Sequence, residues 1–198
     1  MTPERKLKLL SVLNKRQNDI TIVLENVFDP HNISAVMRSC DAVGIQDLYV
    51  INTQAAPNKR WGYRSSSGSY KWITTHQFTN IEECVFALRK NYSKVLTTHL
   101  NSEFVNLFDV DLTQSVALVF GNEQEGVSEA MCKLADGNFS IPQVGMIKSL
   151  NISVACAISL YEAHRQKNNA GHYNYKKLDE ARYKQLLEQW GVYDDNNL

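Results

Sequence analysis

Most of what this sequence lacks excludes something. No apolar run approaches the roughly 20 residues that a bilayer-spanning helix needs, so no membrane span is expected. Residues 1–16 alternate basic and apolar side chains without the apolar core and cleavage site of a signal peptide, which points to a cytoplasmic protein. Cysteine is scarce. Cys40, Cys84, Cys132 and Cys156 lie far apart, with no CxxC pair and no metal-ligand spacing. They read as buried thiols in a reducing compartment, and no metal site is expected. Four prolines and nine glycines in 198 residues exclude collagen-like and disordered compositions. Net charge is missing too, because 21 basic and 21 acidic side chains cancel.

The cancellation hides an uneven distribution. Residues 1–16 hold Arg5, Lys6, Lys8, Lys15 and Arg16 against Glu4 alone. Residues 164–184 hold Arg165, Lys167, Lys176, Lys177, Arg182 and Lys184 against Asp179 and Glu180. The stretch between them is acidic on balance. Basic ends on an acidic body suit a polyanionic ligand such as RNA, the alternative being solvated helix faces.

The length is that of one domain, and its apolar pattern is of mixed α/β type. Leu7, Leu10 and Leu13 suggest an amphipathic helix over 3–16. Strands are expected at 20–27, 47–52, 94–100, 115–120 and 138–142, where β-branched and aromatic residues gather. Helices are expected from Asn32 to a stop at Gly44, from an Asn80/Glu83 capping box to about 91, after Ser128, from Asn151 to about Arg165, and from Lys176 to Trp190. Strands alternating with helices predict one mostly parallel sheet flanked by helices. The division expected is a basic helical extension over 1–19, a sheet domain over 20–166, and a second helical extension over 167–198.

Three segments fall in strand-to-helix loops, where open α/β sheets place their ligands. The first, DPHNISAVMRSCDAVG (29–44), sets Arg38 among apolar neighbours, partly enclosed and in want of an anion. The alternative makes Asn32 a helix cap and pairs Arg38 with an acid. In the second, ALVFGNEQEGVS (117–128), a buried strand enters a turn carrying Gly121, Asn122, Glu123 and Gly126, which fits neither GxGxxG nor the P-loop. The third, IPQVGMIKSLN (141–151), is too long for a simple turn and gathers Ser149 and Asn151 where the next helix starts; capping needs one such residue, not the whole loop. A further loop, NKRWGYRSSSGSYKW (58–72), interleaves cations with Trp61, Tyr63, Tyr70 and Trp72, as an RNA platform or as packing.

In order and spacing the three segments resemble the motifs of the SpoU/TrmH family of RNA 2′-O-methyltransferases, within the SPOUT superfamily. The resemblance runs from residue 20 to about 172, and the basic terminal helices are arranged as in the tRNA-acting members. It implies a deep trefoil knot in the C-terminal part of the sheet domain, S-adenosylmethionine held in that knot, and a homodimer whose active site draws on both chains. Position by position it implies Arg38 as the catalytic arginine, Asn32 as its partner, and Glu123, Ser149 and Asn151 shaping the catalytic pocket. Thr98, Gly121, Ile141 and Leu150 match cofactor positions, while His31, with Arg165 and Lys167 of the basic extension, would meet the RNA. The implied substrate is a guanosine ribose in the D-loop of tRNA. The rivals are a ribosomal-RNA 2′-O-methyltransferase and a non-catalytic RNA-binding protein on the same fold.

Overall fold

A computed structural model of the chain describes residues 1–54, 68–98 and 104–192. Its centre is a seven-stranded parallel sheet. In chain order the elements are α1 (Pro3–Leu13), β1 (Ile20–Glu25), α2 (Pro30–Ala42), β2 (Asp47–Ile51), β3 (Thr74–Phe78), α3 (Ile81–Arg89), β4 (Lys94–Thr97), β5 (Val105–Asn106), β6 (Val116–Phe120), α4 (Glu129–Leu134), β7 (Gly137–Ser140), α5 (Ile152–Asn169) and α6 (Glu180–Gln189). Across the sheet the order is β3-β2-β1-β6-β4-β7-β5.

Every residue of β1 and β6 is buried, as parallel strands covered on both faces must be. Alternation then sorts the side chains. Ile20, Ile22, Leu24, Leu118 and Phe120 face Ile33, Val36, Met37 and Cys40 of α2 and Ile152, Cys156 and Leu160 of α5. Val23, Ala117 and Val119 face Cys84, Val85 and Leu88 of α3 and Met131 of α4. Register fixes the ends: Leu24 pairs with Val50 on one side and with Phe120 on the other.

The direction of winding reverses between β1 and β6. After β1 the chain moves to β2 on one side; after β6 it moves past β4 to β7 on the other. A crevice at the carboxyl ends of such a strand pair is where ligands bind in open α/β sheets.

Several expectations are corrected. β3 and β5 were not expected. TTHQF of β3 is polar at every position but Phe78 and sits half-buried at a sheet edge, while β5 has only two residues. On α1 the buried side chains are Leu9 and Leu13, and Leu7 is exposed. Leu9 and Leu13 pack with Leu178, Leu186 and Trp190, so the two ends of the chain share a small core of their own. Cys132 is only partly buried, unlike Cys40, Cys84 and Cys156. Among the described residues no group of side chains could hold a metal, and no helix is long and apolar enough to cross a membrane.

Arg16 joins that small core to the sheet. Fully buried, it donates to Asp41 Oδ1 at 2.6 Å and to the Ile45 carbonyl at 3.0 Å, and its guanidinium lies 5.2 Å from the Trp190 ring. Trp72 packs edge-on against Trp190, with ring centroids 5.3 Å apart, and Tyr70 packs on the main core. These two rings of the proposed RNA platform are therefore packing residues; positions 58–67 lie outside the described residues.

Candidate functional site

Two helix starts and one tight loop meet at the crevice. At α2, Asp29 is the N-cap, accepting from the His31 amide at 2.8 Å, and Pro30 follows it. Asn32 is thereby released from capping, and its side chain turns across the crevice. At α5 the cap is Asn151, whose Oδ1 accepts from the Ser153 amide at 2.9 Å. Its amide nitrogen remains to donate to Asn32 Oδ1 at 3.1 Å. Asn32 Nδ2 in turn donates to Glu123 Oε1. Side chains separated by 119 and 91 positions, one from each motif, thus form a single chain, Asn151 to Asn32 to Glu123.

The 121–128 loop presents Glu123 because its own backbone is folded tightly. Asn122 Oδ1 accepts from the amides of Gln124 and Glu125, and the Gly126 amide donates to the Asn122 carbonyl. Gly126 has φ +70°, in the left-handed region. A Cβ on Gly121 would lie 1.9 Å from the Gly126 carbonyl carbon, so only glycine permits this turn. At the loop's end Ser128 caps α4 and is held by Glu25, a buried carboxylate at the end of β1. Of these residues Asn122 is visible in the sequence as part of the glycine-bearing turn, whereas Glu25 is not, since a single acid within the expected 20–27 strand forms no motif.

Beside this chain lies a cleft of about 380 Å³. Thr98, Gly121, Ile141 and Leu150, the four expected cofactor positions, all line it, together with Glu123 and Ser149. Phe120 and Phe139, edge-on at 6.0 Å, belong to the same lining and supply apolar surface, while the 121–126 and 141–150 backbones supply polar groups. Size and lining suit one small amphipathic ligand.

Other expected site residues lie apart. Arg38 is exposed, not enclosed, does not line the cleft and has no ion pair with any described residue. His31 is exposed on the first turn of α2. Arg165 is exposed and paired with Glu162 at 2.7 Å. Lys167 corrects the charge reading outright. It is fully buried, its ammonium 2.9 Å from Asp19 and donating to the Thr113 carbonyl at 3.2 Å, so it cannot meet RNA. Lys177 also pairs with Asp19, and Arg182 with Asp47. Charges counted from sequence as a ligand surface are in part the ties that hold the ends to the sheet.

A family model described as the SpoU rRNA Methylase family matches residues 19–161. A tRNA (guanosine(18)-2′-O)-methyltransferase of Thermus thermophilus is 40% identical over 190 residues, covering 96% of each chain. The crystal structure of the A. aeolicus TrmH/SpoU tRNA modifying enzyme superposes with a TM-score of 0.84 at 35% identity, covering 98% of both chains. The SpoU methyltransferase AviRb of Streptomyces viridochromogenes, solved with the cofactor AdoMet, superposes at 0.69 with 29% identity, over 80% of this chain and 62% of that one.

Proposed function

This chain belongs to the SpoU methylase family, and from that premise we propose that it transfers a methyl group from S-adenosylmethionine to the ribose 2′-hydroxyl of a tRNA guanosine, the D-loop nucleoside its relatives' names place at position 18. The observation that carries the reading is the hydrogen-bonded chain Asn151–Asn32–Glu123 at the edge of a cleft lined by all four expected cofactor positions. Likeness over nearly the whole length to tRNA enzymes favours tRNA over ribosomal RNA.

The cleft fits the methyl donor. Thr98, Gly121, Ile141 and Leu150 would hold the adenosine end in the cleft, and the Glu123 and Glu125 carboxylates in the same lining are complementary to a sulfonium. S-adenosylmethionine, when bound, supplies a methyl group already activated by positive sulfur. The protein's own tasks are to align the hydroxyl, exclude water and help its proton leave. Asn32, held at both ends, fixes Glu123 and Asn151 as the frame in which the ribose is oriented. Ser149, at the cleft, offers a hydroxyl to the same ribose. Arg38 holds the phosphate beside the reacting ribose in its planar fork. In this reading Arg38 acts by holding that phosphate and not as the base, and the hydroxyl's proton passes to the phosphate or to solvent.

Arg38 lies off its own cleft, so the reading includes a homodimer in which a second copy supplies it. Val154 and Tyr161 are exposed on α5 with Ala157 and Ile158 half-buried between them, an apolar strip at helical spacing suited to that contact. The reading also includes the family's knot, formed where the 121–128 and 141–151 loops meet, with 1–19 and 167–198 as extensions that bring RNA to the 20–166 domain in the cytoplasm. Phosphate contacts fall to Arg5, Lys8, Lys15, Arg165 and Lys176; Lys15 and Lys176 share a groove with Tyr173 and Tyr175. The test is incubation with labelled S-adenosylmethionine and unmodified tRNA, followed by mapping of the nucleoside. Label on a tRNA guanosine ribose is expected. Label on a base, or on ribosomal RNA alone, would overturn the substrate assignment.

A further inference from the structure

We propose that Glu25 is a positioning residue for methyl transfer, setting the Asn32–Glu123 pair without touching substrate; the inference rests on the methyl-transfer reading above. Glu25 ends β1 and is 1% exposed. Both of its oxygens go to one residue. Oε2 accepts from the Ser128 amide at 2.9 Å, and Oε1 accepts from the Ser128 hydroxyl at 2.6 Å. Ser128 Oγ then accepts from the Met131 amide at 3.2 Å, so its proton is committed to Glu25 and its direction is fixed.

Position in the chain gives this clamp its reach. Seven residues after Glu25 comes Asn32, and five residues before Ser128 comes Glu123. The start of the 121–128 loop is set by the pairing of β6 with β1, Leu24 opposite Phe120. Its end is set by the same strand through Glu25. Both ends of the loop, and the start of the segment leading to Asn32, therefore refer to one strand end. The exposed contacts across the crevice, Asn32 on Glu123 and Gln54 on Glu125, close over a frame already built.

The chemistry of the clamp is poorly suited to stability alone. A buried carboxylate loses hydration, and here an amide and a hydroxyl replace it; among the described residues no Lys or Arg pairs with Glu25. Two donors on two oxygens of one rigid group do fix a direction. Gln has the same shape but one acceptor, so the Ser128 hydroxyl must turn to accept from the new N–H, its own proton loses its partner, and the loop end would shift. A displacement of this kind near a reacting pair slows alignment-dependent chemistry by about ten- to hundred-fold.

The experiment compares wild type, Glu25→Gln, Glu123→Gln and the double variant in single-turnover methyl transfer to tRNA, with tRNA affinity and thermal melting measured alongside. Expected for Glu25→Gln is a rate at least about ten-fold lower with tRNA dissociation constant and melting temperature close to wild type. The double variant should be no slower than the slower single one, because both changes disable one arrangement. Ser128→Ala, which keeps the amide contact, answers in the same way should Glu25→Gln fail to fold. A rate within two-fold of wild type, or losses that multiply in the double variant, would overturn the proposal. Inactive wild-type protein would instead count against the methyl-transfer reading itself.

Discussion

At the scale of single residues, a side chain's type was easier to read than its partner. Arg38→Ala should lower methyl transfer by about 100-fold or more while S-adenosylhomocysteine binds within a few-fold of wild type, since Arg38 does not line the cleft. Arg38→Lys should fail as well, because a point charge cannot replace the fork. Kinetics beside calorimetric titration checks both, and near-normal activity in either variant removes Arg38 from the mechanism. Lys167 makes the opposite case. Counted from sequence it belonged to a basic surface, but a lysine 54 positions from Thr113 gives no hint that the two meet. Lys167→Met should destabilise the fold by on the order of 3 kcal/mol, at the low end for a broken buried pair because Lys177 still holds Asp19. The salt dependence of tRNA binding should not move. A flatter salt slope at unchanged stability would show Lys167 on RNA after all. Asn32, Glu123 and Asn151 were legible as a motif, whereas the hydrogen bonds joining them were not, because contacts between distant positions leave no trace in local spacing.

At the scale of elements, caps and stops were the most readable features because their chemistry is local. Asn80 accepts from the Glu83 amide at 2.8 Å where the capping box placed it. Gly44 stops α2 at φ +83°, with its amide on Asp41 and the next amide, Ile45, on Cys40, the paired bonds of a Schellman ending. A Cβ there would also come within 2.7 Å of the Lys15 carbonyl. Gly44→Ala should therefore cost about 2 kcal/mol, read as a lower urea midpoint; an unchanged midpoint would mean that α1 and its following turn shift freely. The mostly polar edge strand β3 escaped the sequence because its residues neither alternate nor form an apolar run, and β5 because two residues make no pattern. Arg16 escaped for a related reason: a terminal arginine looks solvated until Asp41 and Trp190 close around it.

For the molecule as a whole, the attachment of the C-terminal segment should respond to pH. His172 lies 3.4 Å from Asp19, with Lys167 and Lys177 on the same carboxylate. Burial, reinforced by those two ammoniums, holds His172 below its ordinary value of 6.5. On acidification the unfolded chain therefore takes up the proton first. The stability tied to neutral His172 is complete above pH 6.5 and is lost as pH falls through the folded value. Asp19, also lowered from 3.8, loses its contribution only in more acidic solution. Urea midpoints at pH 7 and pH 5 should differ in wild type and differ less in His172→Gln; equal differences would exclude His172 as the cause. The strand order carries one more consequence. β1 is wholly apolar except at Thr21 and Glu25, and the neighbour that covers one of its edges, β6, follows about a hundred positions later in the chain. At ribosomal speeds of about 5–20 residues per second, that apolar edge is without its native partner for roughly 5–20 seconds of synthesis.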